Sequence, residues 1–218
     1  DLFLTMPRAV DLPASVPLFP LSGAILLPRT RLPLHIFEPR YLQMVEDVLK
    51  TPQRMIAMIQ PVDAGHQRLS QIGCAGRIVS FTELDDNRLM IALRAVSRFR
   101  LVEVEQGFAP YLRGRLDWAG FEGDLTSRPE TLKGAHDRQA LIARLARYAA
   151  RRGLSADWEA AKASDEEMLV NSLSMMLPFS PEEKQALLES PTLADRRELL
   201  QGLIEFALHG GDNEERLQ

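Results

Sequence analysis

Four histidines, one cysteine and a few charged residues beside aromatic ones are the side chains of this 218-residue chain that could do chemistry. Metal binding needs ligands gathered at short spacing, because one ion takes about four donors at roughly 2 Å. His35, His66, His136 and His209 stand apart, and neither HExxH nor CxxC occurs. They read as scattered surface or strand histidines, so no metal and no cofactor is expected. A phosphate loop needs GxxxxGK[ST], yet the chain has no Gly-Lys dipeptide, and no GxSxG elbow presents a serine nucleophile. Cys74 follows Gly73 in an apolar run, which suits a small buried filler better than a reactive thiolate. No catalytic residue is nominated.

What remains is chemistry of contact. Glu38 and Arg40 sit where an apolar run gives way to a helix, and a carboxylate at a helix start is favoured by the macrodipole. Arg144, Arg147 and Arg151 share one helix face, either solvated or docking an acidic partner. Met55, Met58, Met90, Met168, Met175 and Met176 could form an adaptable groove, although methionine serves equally as core. Net charge is -4; residues 1–121 carry 14 Lys plus Arg against 12 acids, and residues 122–218 carry 12 against 18. Neither half has the basic excess that phosphate neutralisation demands, so no nucleic-acid partner is expected. A single cysteine allows no internal disulfide and suits a reducing compartment. The start, DLFLTMPRAVDLPASV, lacks the basic patch and apolar core of a secretory signal, and no apolar run approaches the roughly 18 residues of a membrane span. A cytoplasmic protein with no membrane partner is expected.

The elements that would position these residues change character near Gly120. Before it, short apolar runs alternate with turn signals; after it, the period is helical. Val16 to Tyr41, VPLFPLSGAILLPRTRLPLHIFEPRY, is a strand run whose prolines suit short edge strands, leading into a helix with Pro39 in its first turn and Tyr41, Leu42, Val45, Val48 and Leu49 as its apolar stripe. Arg54–Gln60 is a strand covered on both faces, and Gly76–Leu84 with Arg88–Val96 flank a hairpin turn at Asp85, Asp86 and Asn87. In Ser97–Glu105 the apolar phase passes from Phe99 and Leu101 to Val102 and Val104, with Arg98 and Arg100 opposite the first pair, which signals a β-bulge. With Tyr111–Trp118, about six strands argue for a closed or nearly closed barrel lidded by the one helix.

The expected organisation is an extended segment over 1–15, a β-barrel subdomain over 16–121, a linker over 122–134, a helical bundle over 135–211 and a frayed tail over 212–218. Asp63–Gln71 reads as a surface loop. In the bundle, Asp137–Arg152 turns Leu141, Ile142, Leu145, Tyr148 and Ala149 inward and stops at Gly153. Ser155 is expected to cap a short helix, and Ser164 with Glu167 to cap a central helix whose Met168, Leu169, Val170, Leu173, Met175, Met176 and Leu177 cover most of its circumference. Ser180, Pro181 and Glu183 open the next helix, and Thr192 caps a last one that finishes at His209, Gly210 and Gly211.

Several of these motifs, in this order, resemble the amino-terminal substrate-recognition domain of Lon-type ATP-dependent proteases, in its stand-alone bacterial form. They are PLFPL at Pro17–Leu21, LPLHIFEPRY at Leu32–Tyr41, IGCAGRI at Ile72–Ile78, SRFRL at Ser97–Leu101 and EKQALLESPTLADRRELL at Glu183–Leu200. The resemblance covers about Val16 to Leu208. It implies an α+β fold, a PUA-like β-barrel subdomain with one inserted helix followed by an α-helical bundle. It also implies a non-enzymatic protein-recognition module linked to protein quality control or proteolysis. The ATPase phosphate loop and the serine-lysine peptidase segment of full-length Lon are absent from the sequence. The implied partners are unfolded or exposed apolar protein segments, with a separate ATPase or protease as a further one. Phe37, Glu38, Arg40 and Tyr41 match family positions that border the client-binding surface. Two rival readings are RNA binding through the PUA-like barrel and, more remotely, a small hydrolase.

Overall fold

The computed structural model describes residues 12–65, 67–132 and 135–215. The expected extended segment through residue 11, His66, the side chain of His136 and residues 216–218 of the expected tail lie outside these. Among the described residues six strands occur, β1 (Ser15–Pro20), β2 (Arg31–Ile36), β3 (Met55–Ile59), β4 (Ile72–Glu83), β5 (Leu89–Glu105) and β6 (Arg113–Asp117). The helices are α1 (Pro39–Leu49), α2 (Ala135–Arg152), α3 (Trp158–Ala163), α4 (Glu166–Met176), α5 (Pro181–Glu189) and α6 (Leu193–Glu215). The chain divides into two compact units, one built from residues up to 128 together with 179–188, the other from 129–178 and 189 onward.

In the first unit the strands form one mixed sheet in the order β2-β5-β4-β3-β1-β6, and β6 pairs with β5 as well. Pairings among five strands therefore run in a ring, with β2 added outside it. The expectation of edge strands holds for β2, whose one neighbour among the described residues is β5, and fails for β1, which has β6 on one flank and β3, in parallel, on the other. Its prolines are tolerated because each closes a short ladder: Ser15 to Pro17 pair with β6, and Leu18 to Pro20 with β3.

Every residue of β3 is buried, as its uninterrupted apolar sequence demands. Met55, Ala57 and Ile59 join Val16, Leu18, Ala75, Phe99 and Leu116 in one core. Gly73 is obligatory there, since a Cβ would lie 2.3 Å from the Met58 carbonyl oxygen and 2.6 Å from the Phe99 ring. The β4–β5 hairpin turns through Asp86 and Asn87 at φ 65° and 57°, left-handed values that short polar side chains accept. Along β5 the register shifts between Leu101 and Glu103, where the sequence places a bulge. Val102 and Val104 do not turn inward as expected; they are 52% and 39% exposed, because β4 has already ended opposite Arg100 and only β6 accompanies them.

Helix α1 buries Tyr41, Met44, Val45 and Val48. The Tyr111 hydroxyl donates to Asp47 Oδ2 at 2.6 Å and ties this helix to the approach of β6. In the Asp63–Gln71 loop, Asp63 Oδ1 accepts from the Gln67 and Arg68 amides.

Two expectations about polar residues are corrected here. Arg98, read as outward-facing, is 5% exposed, and Asp124, read as part of a linker, is 7% exposed. Arg98 donates from Nε to Asp124 Oδ2 at 2.9 Å and from Nη2 to Oδ1 at 3.1 Å, while its backbone N–H meets Oδ2 at 3.0 Å. Arg29 reinforces the segment by donating to the carbonyls of Gly123, Asp124 and Thr126. Charges leave water only when paired and hydrogen-bonded, which is what this fork supplies.

Helix α5 also departs from expectation. Its capping box forms as expected, with the Ser180 amide on Glu183 Oε1 at 2.8 Å and the Glu183 amide on Ser180 Oγ at 3.1 Å. Residues 179–188 nevertheless belong with the sheet rather than the bundle. Gln60, 2% exposed, donates to the Pro181 carbonyl and to Gln185 Oε1, and Gln185 donates to the Ile72 carbonyl. Lys184 Nζ donates to the Gly23 carbonyl and Arg98 Nη1 to the Leu188 carbonyl, so polar groups fix the helix in place.

The second unit contains α2, α3, α4 and α6. Leu141, Leu145, Tyr148 and Ala149 of α2 are buried, and Gly153 ends the helix at φ 63°. The caps differ from expectation: Asp157 accepts from the Ala160 amide and Asp165 from the Met168 amide, displacing Ser155 and Ser164. Aspartate is an equally strong cap, and here it stands closer to each first turn. Ser164 instead donates to the Ala160 carbonyl. Helix α4 buries a more polar face than expected. Glu167, Asn171 and Ser174 are buried beside Leu169 and Val170, whereas Met168 and Met176 are 42% and 79% exposed. Asn171 Oδ1 accepts from buried Arg196 of α6 at 2.8 Å, and Glu167 accepts from the Glu130 amide. Thr192 caps α6 as predicted, through the Asp195 amide. The helix continues past Gly210 and Gly211 to Glu215, since glycine lowers helix propensity by about 1 kcal/mol without forbidding it.

Candidate functional site

Strand β2 alternates, with Leu34 and Ile36 buried and Pro33, His35 and Phe37 exposed. That alternation, followed at once by the proline-started α1, builds a shallow cleft of about 120 Å³. Phe19 of β1 and Tyr41 form its floor, stacked at 4.3 Å and 19°. Phe37 stands at the rim, 60% exposed, with the His35 ring edge-on at 5.8 Å. Arg40 lies 4.7 Å from the Tyr41 ring centroid and pairs with Glu38 Oε2 at 3.1 Å. Burial raises the Tyr41 hydroxyl above its ordinary range, against a smaller lowering by Arg40, and keeps it neutral.

The four residues nominated from sequence thus share one cleft but differ in position. Phe37, Glu38 and Arg40 are rim residues, and Tyr41 is a buried floor residue. The sequence reading missed the floor partner Phe19 and the wall residue Leu21. Their signal lay in the PLFPL motif, with nothing local to say that it would meet Tyr41. An apolar floor with a self-paired polar rim can seat an apolar side chain while leaving the charges in water.

The sequence model of the family described as the ATP-dependent protease La (LON) substrate-binding domain matches residues 15–205. The chain belongs to that family. The fold agrees with two solved structures. One is a Lon N-terminal domain protein from Xanthomonas campestris, with TM-score 0.62, 23% identity and coverage of 86% of this chain and 97% of that one. The other is the N-terminal domain of a Mycobacterium avium complex Lon protease, with TM-score 0.62, 16% identity and coverage of 88% and 98%. Lon protease 2 of Sorangium cellulosum is 30% identical over 108 residues, which is 47% of this chain but 13% of that protease. Lon protease of Desulfosudis oleivorans is 32% identical over 95 residues, 41% of this chain and 12% of that protein.

Elsewhere in this Lon-type chain the other nominated groups are engaged or isolated. Arg144 and Arg147 pair with Glu205 at 2.6 and 3.6 Å, His209 approaches the same carboxylate, and Arg151 donates to the Leu208 carbonyl. Cys74 is buried. Among the described residues no group of three or more His, Cys, Asp or Glu is placed to hold a metal, and no helix is long and apolar enough to cross a membrane. A second cleft of about 80 Å³ lies beside Asp47, Tyr111, Ser15 and Arg113. Its polar groups are occupied with one another: Ser15 Oγ donates to Glu105 and accepts from Arg113 Nε. Burial and the Asp47 carboxylate push the Tyr111 hydroxyl up to about 12, and the Tyr111 hydrogen bond holds Asp47 below the usual carboxylate range.

Proposed function

We propose that this chain is a non-catalytic protein-recognition module that binds exposed apolar segments of other polypeptides at the Phe37 cleft, in the cytoplasm and beside a separate ATPase or protease. The ring of strand pairings is read as a PUA-like barrel. The observation that carries the reading is Phe37: a phenylalanine 60% exposed over an aromatic floor, in a chain of the substrate-binding family. An exposed aromatic flanking an apolar cleft marks a contact surface rather than a core.

Fluorescence anisotropy with labelled peptides carrying an aromatic or aliphatic anchor tests it. Binding is expected to weaken about tenfold in Phe37→Ala, the loss of a modest aromatic anchor, with an unchanged circular dichroism spectrum. Failure of the intact protein to bind any such peptide removes the proposal.

A further inference from the structure

The sheet register brings three arginines of β2, β5 and β4 into one row: Arg31 lies opposite Arg94, and Arg94 opposite Arg77. All three are exposed. Three other exposed arginines of this unit have acids, Arg40 with Glu38, Arg68 with Asp63 and Arg115 with Glu103, and Arg100 donates to Gln71 Oε1. Among the described residues the side chains of Arg31, Arg77 and Arg94 make no ion pair and no hydrogen bond. Like charges directly opposite on neighbouring strands repel, so the row is a standing cost that an external anion would relieve. Adjacent strands are about 4.8 Å apart, which sets the three arginine backbone positions over about 10 Å. Their planar forks suit carboxylates.

The same exposed face of β2 continues from Arg31 through Pro33 and His35 to Phe37. Six residues of extended chain cover about 20 Å, so one polypeptide lying along β2 reaches both the arginine row and the aromatic cleft. We infer that the polypeptides taken by this chain are selected for acidic residues, with carboxylates on the Arg31–Arg94–Arg77 row about six positions from an apolar anchor at Phe37. The inference rests on the polypeptide-binding reading above. A peptide is favoured over a nucleic acid because the chain as a whole carries charge -4, and a long polyanion meets that charge beyond the row. A short acidic segment senses mainly what lies within a Debye length, about 8 Å at physiological salt.

The test uses the full chain and three peptides: an aromatic anchor with three aspartates about six residues away, the same peptide with asparagines, and the aspartate peptide with serine for the anchor. A single-stranded RNA oligonucleotide is the fourth probe. The anchored aspartate peptide is expected to bind about tenfold tighter than its asparagine twin at low salt, the sum of three modest exposed pairs. That gap should narrow as salt rises and close in the R31Q/R77Q/R94Q variant; Arg94→Gln alone, at the centre of the row, should already reduce it. Equal binding of the two anchored peptides overturns the inference and leaves the binding module intact. Binding of neither overturns both. RNA bound through the row with no advantage for aspartate, or a dimer that the triple variant dissolves, assigns the row to another occupant and also overturns it.

Discussion

Arg94 and Arg98 lie on one strand, yet one is exposed in a row of like charges and the other is buried in a complete set of hydrogen bonds. Simple alternation would give both the same face. The register shift between Ala75 and Gly76 prevents this: Arg98 stands opposite Cys74 and Arg94 opposite Arg77, and those two β4 positions face opposite ways. One inserted residue therefore decides which arginine is buried in the fold and which stays exposed.

Asp124→Ala is the strongest way to expose that difference. Stranding the Arg98 guanidinium in the interior is expected to cost about 3–5 kcal/mol, read as a fall in the urea midpoint. Arg98→Met combined with Asp124→Leu should recover much of it, because replacing both charges removes the stranded one. A single-variant cost below about 1 kcal/mol would mean that Arg98 behaves as a surface arginine.

The half-buried Tyr111–Asp47 bond lies between the two extremes. Tyr111→Phe should cost about 1 kcal/mol at pH 7, one ordinary hydrogen bond. Asp47, whose carboxyl is held low in the fold, contributes stability above its unfolded value near 3.8 and loses it as pH falls through the lower folded value. Tyr111, raised to about 12, contributes below its unfolded value of 10.0 and loses it as pH climbs toward 12. Urea titrations of both proteins should therefore differ at pH 7 and approach one another as pH falls below 3.8 and as it climbs toward about 12.

Arg94→Gln should change stability least. Removing the central charge is expected to leave the melting temperature unchanged or raise it slightly, by a few tenths of a kcal/mol. A marked loss of stability would show that the row holds the sheet together.

Local patterns made much of this fold legible: the β3 run, the Asp86–Asn87 turn, the bulge after Leu101, and the caps at Ser180 and Thr192. What stayed hidden is long in range. Asp124 meets Arg98 across 26 positions, and Leu188 meets it across 90. No window of sequence holds both ends, so 122–128 looked like a connection and α5 like one more bundle helix. The candidate site divides the same way. Phe37, Glu38, Arg40 and Tyr41 could be nominated together because one short motif carries the resemblance, whereas Arg31, Arg77 and Arg94 become neighbours only once three strands are in register.

Because residues 179–188 return to the sheet after the chain has entered the second unit, the polypeptide passes between the two units three times. A fragment ending at Arg128 would lack α5, leaving the Gln60 amide and one arm of the Arg98 fork without their acceptors. Such a piece is a damaged body and not a smaller one. Gene fusions or proteolytic trimming that treat the sheet as a detachable cassette should yield insoluble or loosely folded material unless the short return helix travels with it.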